Sequence, residues 1–209
     1  EFRIDDWYVD VAVTDTQKAL AAPPGISAIY ATDRAIDAFD GDRAPFYEDL
    51  DWHVRKAADD QTPFTSAVPL FRGLAVALGQ ITAEGMPTRI RRHRRYAAAF
   101  RDGFAAMGLA LFPDLNPESA YSNTVTAVSL PEAVRDDPAA FFDAVAAQNV
   151  SISGGQAHLS GEIFRVSNMG ELTPDDIVRG IRAVGMALDE SGFDTAVDAG
   201  ETAARNRLD

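Results

Sequence analysis

The chain contains no cysteine. That removes disulfides, thiolate metal ligands and a catalytic thiol from consideration. Histidine is nearly as scarce, and His53, His93 and His158 stand far apart, so a histidine-based metal site is not expected. Lysine occurs twice, at Lys18 and Lys56, against seventeen arginines. No apolar run approaches the roughly eighteen residues that a membrane-spanning helix needs. No basic-then-apolar leader is legible in the first residues, and the expectation is a cytoplasmic protein without a membrane partner. Positive charge is outnumbered, 19 basic residues to 32 acidic, giving a net charge of −13. Such a surface repels phosphate backbones, so nucleic acid is not expected as a partner. Acidity combined with so little lysine reads as adaptation to high salt, with an ordinary acidic cytosolic protein as the alternative. What remains is 209 residues, 46% apolar, enough for one large domain or two small ones.

The scarcity of lysine gives one of the two weight. An apolar run at residues 7–13 reads as a buried strand of a parallel or mixed sheet. It ends in the polar turn Thr14-Asp15-Thr16-Gln17, then Lys18, then small residues closed by Pro23-Pro24-Gly25. A lysine at this position is ordinarily a solvated loop residue. Yet a chain that almost always chooses arginine keeps lysine here. Only lysine can lose its proton near neutral pH and attack a carbonyl. Lys18 is therefore a candidate Schiff-base lysine.

Along the chain, residues 26–31 read as the next strand. Thr32-Asp33 reads as the cap of a short helix, and residues 46–60 as a polar surface segment. Residues 61–69, rich in proline and hydroxyls, read as a loop. Apolar spacing predicts a helix over 70–85, and Pro87 opens a long helix to about 107. That helix carries Arg89, Arg91, Arg92, Arg94 and Arg95, read as a solvated or domain-bridging face paired with carboxylates. Strands are expected at 109–112, 124–130, 150–153 and 162–166, and helices at 137–148 and from Thr173-Pro174 onward. Beyond Gly192 the tail reads as polar and frayed.

A second residue bears chemistry. Ile163-Phe164-Arg165-Val166 sets an arginine inside a run of apolar neighbours. A half-buried guanidinium needs a carboxylate or carbonyl partner. From chemistry alone, the default is an ion pair with an acidic residue of the chain itself.

The segment Thr14-Asp15-Thr16-Gln17-Lys18-Ala19-Leu20, followed by Ala22-Pro23-Pro24-Gly25, resembles the lysine segment of class V aminotransferases. These are fold-type-I pyridoxal-phosphate enzymes that include alanine–glyoxylate and serine–pyruvate aminotransferases. Glu84-Gly85 and Arg92-His93 resemble the family's stretch joining its large and small domains. Gly154-Gly155 followed by Arg165 and Gly170 resembles its C-terminal Gly-Gly turn and Arg-Ile-Gly-x-x-Gly pattern, with Val166-Ser167 standing where the family has Ile-Gly. The resemblance implies an α/β chain: the end of a large cofactor domain over residues 1–84, then a small α/β sandwich over 85–209. It implies pyridoxal phosphate on Lys18, with Thr16 and Gln17 beside it. It places Thr65 on the cofactor phosphate of a partner subunit, hence a homodimer, although Thr62 stands near where the family has a tyrosine. It places Arg165 on the substrate's α-carboxylate. The implied reaction is transamination of alanine or serine with glyoxylate or pyruvate. The family's phosphate loop, stacking aromatic and ring-nitrogen aspartate fall before this stretch, so the chain reads as a C-terminal half. The alternatives are a non-catalytic fragment or subunit needing the other half, and another chemistry on the same scaffold, such as a lyase. A cysteine desulfurase fails for want of a cysteine.

Overall fold

A computed structural model describes residues 2–209. The chain divides into two compact units, Glu1–Gly85 and Met86–Asp209.

In the first unit, β1 (Val11–Asp15) pairs antiparallel with β2 (Ser27–Ala31), in register from Val11↔Ala31 to Asp15↔Ser27. The strand expected at residues 7–13 begins four residues late. Tyr8 adopts a left-handed backbone, φ +52°, and the Val9 N–H donates to the Ile4 carbonyl at 3.1 Å. That closed turn cannot extend into a ladder. The hairpin is also not buried: Val13 is 63% and Ile29 46% exposed. Among the described residues no third strand pairs with it, so its side chains lack the second layer that an apolar strand is built for. Asp10 fixes the far end. It accepts from the Thr32 hydroxyl at 2.9 Å and from the Arg34 guanidinium, and the Arg34 contact, first of these, holds its carboxyl below the ordinary value.

Thr32 caps α1 (Asp33–Ile36), accepting from the Ala35 N–H. Residues 46–60 contain a helix that the sequence reading missed, α2 (Leu50–Ala57), capped by the Asp49 carboxylate on the Trp52 N–H. Phe64 gathers Phe46, Tyr47, Trp52 and His53 around it, with ring centroids 4.9–5.7 Å apart. α3 (Val68–Glu84) follows with Pro69 in its first turn and ends at Gly85, φ +78°, a conformation suited to glycine.

The second unit holds a true core. α4 (Met86–Ala106) presents the stripe Arg89, His93, Tyr96, Phe100, Phe104, all buried, at the spacing of one helix face. β3 (Val125–Ser129) follows, then α5 (Glu132–Arg135) and α6 (Pro138–Ala147), the latter capped by Asp137. β4 (Ser153–Gly154) and β5 (Ile163–Ser167) complete an antiparallel sheet of order β3-β5-β4. The strand expected at 109–112 is a single bridge, Leu111↔Val128, and the one expected at 150–153 shrinks to β4. Val128, Phe164 and Val166 face the helices. Phe164 meets Phe104 edge-on at 5.6 Å and Phe141 at 5.5 Å. α7 (Pro174–Glu190) opens with a reciprocal cap between Thr173 and Asp176.

The tail is not frayed. α8 (Val197–Leu208) buries Gly200, Ala204 and Leu208 and packs on α4 and α7. Arg182 on α7 pairs with Glu201, and Arg207 with Asp102 at 2.7 Å. The arginine cluster of α4 is also not uniformly solvated. Arg89 is buried, and Arg92 reaches across to donate from Nη1 to the Gly170 carbonyl at 2.9 Å.

Candidate functional site

The first unit builds a lysine turn from the end of β1. Thr16 is buried; its hydroxyl donates to the Pro23 carbonyl at 2.7 Å. Its carbonyl accepts from the Ala22 N–H at 2.9 Å, and its own N–H donates to the Ile26 carbonyl at 3.2 Å. Three hydrogen bonds from one residue close the turn that carries Gln17 and Lys18. Gly25, at φ +121°, makes the exit. A Cβ there would also stand 2.7 Å from Leu70 of α3, and Gly73 of α3 lies against Pro23. Helix α3 thus backs the turn.

Lys18 and Gln17 are exposed on that frame. The Lys18 ammonium has no hydrogen-bond or ion-pair partner among the described residues. Asp15, three residues before it, accepts from the Ser27 hydroxyl at 2.7 Å instead. Thr65 lies in the α2–α3 loop, exposed, its hydroxyl without a partner among the described residues. Beside it, Thr62 donates to the Phe64 carbonyl at 2.6 Å and meets Ser66 at 2.8 Å, so the loop is tied by its own hydroxyls and by the aromatic group around Phe64. Of the site residues named from the sequence, Thr16, Gln17 and Lys18 share one turn. Thr65 sits on another loop of the same unit, and Arg165 belongs to the second unit.

Arg165 is the central residue of β5, opposite Ala127 on β3 and Ser153 on β4. It points away from the face carrying Phe164 and Val166, and it is half-buried. The ion pair expected from chemistry alone is not formed among the described residues. Its Nε donates to the Gly154 carbonyl at 2.8 Å, and its two terminal amino groups have no partner among the described residues. A partly desolvated guanidinium with a free fork is a ready carboxylate receptor.

The sequence reading missed Asn168. It is fully buried, and its Nδ2 donates to the carbonyls of His93 (3.2 Å) and Asn123 (2.9 Å). Its backbone N–H donates to the Thr124 carbonyl at 3.1 Å. It fastens the end of β5 to α4 and to the lead-in of β3. The signal was available: Phe164, Val166 and Asn168 share the parity of the buried face. Among the described residues no group of three or more acidic or histidine side chains could hold a metal, and no helix is long and apolar enough to cross a membrane.

No protein-family model matches the chain. An uncharacterized aminotransferase of Methanocaldococcus jannaschii is 37% identical over 206 residues, covering 96% of this chain and 52% of the relative. The serine–glyoxylate aminotransferase of Arabidopsis thaliana is 31% identical over 210 residues, covering 100% and 52%. The crystal structure of pyridoxamine–pyruvate aminotransferase from Mesorhizobium loti superposes with a TM-score of 0.89 at 30% identity, over 100% of this chain and 54% of that one. The chain spans about half the length of the curated relatives it matches. Sequence and fold both match over nearly the whole chain: the chain belongs to the class V, fold-type-I pyridoxal-phosphate-dependent aminotransferases, of which it matches the C-terminal half.

Proposed function

We propose that the chain supplies the covalent and carboxylate-binding parts of an aminotransferase site. Its substrates would be a small amino acid, alanine or serine, and a 2-oxo acid, glyoxylate or pyruvate. The observation that carries this reading is the Lys18 amine, unpartnered on a braced turn in a chain with 32 carboxylates. The donor set fits pyridoxal phosphate: a primary amine for its carbonyl, an amide and a free hydroxyl for its polar groups. Lys18 would hold the cofactor, Gln17 would contact its phosphate side, and Thr65 would reach the phosphate in the site of a second copy. Thr16, whose hydroxyl is engaged by Pro23, would act by shaping the turn. When bound, pyridoxal phosphate supplies the conjugated ring that takes up the electron pair released at the substrate Cα. Lys18, with its amine freed, moves the proton to and from Cα. Arg165 holds the substrate carboxylate and so orients the Cα–H bond. The names of the relatives, which pair serine or pyridoxamine with glyoxylate or pyruvate, support the substrate class.

A second reading, that this is a subunit or fragment dependent on the rest of the fold for turnover, is favoured by the exposure of Val11, Val13, Ile29 and Tyr30 on both faces of the hairpin. The experiment is incubation with pyridoxal phosphate, borohydride reduction and peptide mapping. The expected result is the pyridoxyl label on Lys18 in clear excess over Lys56, abolished by Lys18→Arg. Equal labelling of the two lysines, or none at Lys18, would overturn the assignment. A transamination assay with alanine and glyoxylate then separates the two readings: turnover supports the complete site, labelling without turnover the dependent subunit.

A further inference from the structure

Arg165 has one of its three nitrogens already engaged, and the partner is a main-chain carbonyl in the Gly154-Gly155 turn. We infer that this turn is a positioning device that presents Arg165 end-on, so that it grips a single carboxylate through Nη1 and Nη2 only. The inference rests on the proposed role of Arg165 as carboxylate receptor, and it assigns the Gly154 carbonyl and Gly155 as the groups that set its orientation. A guanidinium can meet a carboxylate along two edges, one formed by Nε with its nearer amino group, the other by the two amino groups. With Nε donating to Gly154 at 2.8 Å, the side-on edge is closed and the end-on edge remains. Nothing in the sheet competes for that edge. The cross-strand neighbours of Arg165 are Ala127 and Ser153, neither of them a charge partner.

The carbonyl can serve as a strut because the turn cannot shift. The Gly155 N–H donates to the Ile163 carbonyl at 3.1 Å, and the Leu159 carbonyl accepts from the Glu162 N–H at 3.1 Å. Between them the chain reverses through Ala157 and Gly161, both with positive φ. A Cβ on Gly155 would stand 1.9 Å from the pinned Leu159 oxygen. The contact is backbone, so a side chain at 155 forces the two segments of the turn apart, and the peptide that carries the Gly154 carbonyl is next to the one that bears the clash. A Cβ on Gly154 meets only the Phe142 ring, Cζ at 3.2 Å and Cε2 at 3.5 Å, the tip of a side chain that can give way. Two adjacent glycines therefore have separable effects.

The test is NMR of the chain with 15N-labelled arginine, with acetate as the probe. The Arg165 Nε–H resonance, identified by its loss in Arg165→Lys, is expected to exchange with water far more slowly than that of Arg43, which is exposed and without a side-chain partner among the described residues. Acetate is expected to perturb the Arg165 Nη resonances and leave Nε unmoved. Gly155→Ala is expected to release Nε to fast exchange and weaken acetate binding about tenfold or more, the cost of mis-aiming a charge-assisted pair. Gly154→Ala is expected to preserve both. Fast Nε exchange in the unsubstituted chain, or acetate shifting Nε together with Nη, overturns the inference without recourse to a variant. So does Gly155→Ala folding with Nε still protected. A protected Nε with no acetate response at Nη overturns the carboxylate reading of Arg165 itself, and that outcome is distinguishable from failure of the strut.

Discussion

Replacing Asn168 with alanine tests how β5, and with it Arg165, is held in place. The side chain is fully buried, with two hydrogen bonds from Nδ2, at 3.2 Å to His93 and 2.9 Å to Asn123. Each neutral bond of this kind contributes about 1 kcal/mol net. The small cavity left by the missing amide adds about 1 kcal/mol. Against this, Oδ1 has no partner among the described residues, and removing a buried unsatisfied acceptor returns about 1 kcal/mol. The balance is a destabilisation of about 2 kcal/mol. For a domain the size of the second unit, that corresponds to a fall in Tm of about 8 °C. Thermal unfolding followed by circular dichroism reads the change. Asn168→Leu, close to isosteric but without a donor, is expected to fall nearly as far, because both carbonyls lose the amide donor while the volume is kept. The reasoning is refuted if Asn168→Ala melts within about 2 °C of the parent chain, or if the leucine variant is more stable than the parent. Either result would mean that the two carbonyls are as well served without the amide.

The remaining expectations concern the helices that carry the second unit. Thr173→Ala removes the cap of α7 and is expected to cost about 1 kcal/mol in urea unfolding. No change would place the start of α7 under the control of packing alone. Asp176 accepts from the Thr173 N–H, which chiefly holds its carboxyl below the ordinary 3.8, and from the Thr173 hydroxyl. A depressed folded pKa gives stability that is present above the unfolded value and lost as pH falls through the folded one. The stability difference between the parent chain and Asp176→Asn should therefore be full at pH 6 and shrink below about pH 3.8, and a difference independent of pH would contradict the cause. Gly200→Ala puts a Cβ 3.0 Å from the Gly103 carbonyl and 2.6 Å from Met107. It should cost about 1–3 kcal/mol by prising α8 from α4, read as faster amide exchange along α8, and unchanged exchange would mean the crossing has slack.

What could be read from the sequence follows how local the determinants are. The caps at Thr32, Asp137 and Thr173 and the long helices α3 and α4 are written in contiguous residues, and those elements lie where the spacing put them. α8 was hidden because its buried face is Gly200, Ala204 and Leu208. Small residues give no apolar signal, yet they are what lets two backbones cross closely, with Gly200 meeting Gly103. β1 was misplaced because periodicity sees a run of apolar residues but not the left-handed turn at Tyr8 that spends its first half. Its burial was overestimated for a related reason. An apolar run reports the environment a strand suits, and the strands that would supply that environment are not among the described residues.

The two candidate site residues divide along the same line. The lysine turn was legible because its frame is internal to the motif: Thr16 bonds Pro23, and Gly25 turns the chain within a dozen residues. The arginine was legible as chemistry but not as geometry. An arginine in an apolar strand announces a need for a partner, and side-chain arithmetic supplied an acidic one. The partner of its Nε is instead the carbonyl of Gly154, which every residue type would carry and which leaves no mark in the sequence. What marks it indirectly is the glycine after it, where the close approach of Leu159 excludes any side chain. A Gly-Gly turn ahead of a half-buried arginine is therefore more than a flexible joint: the second glycine permits the approach, and the first lends its carbonyl to the strut. Because that strut satisfies Nε without neutralising the guanidinium, the positive charge stays available for a carboxylate from outside the chain.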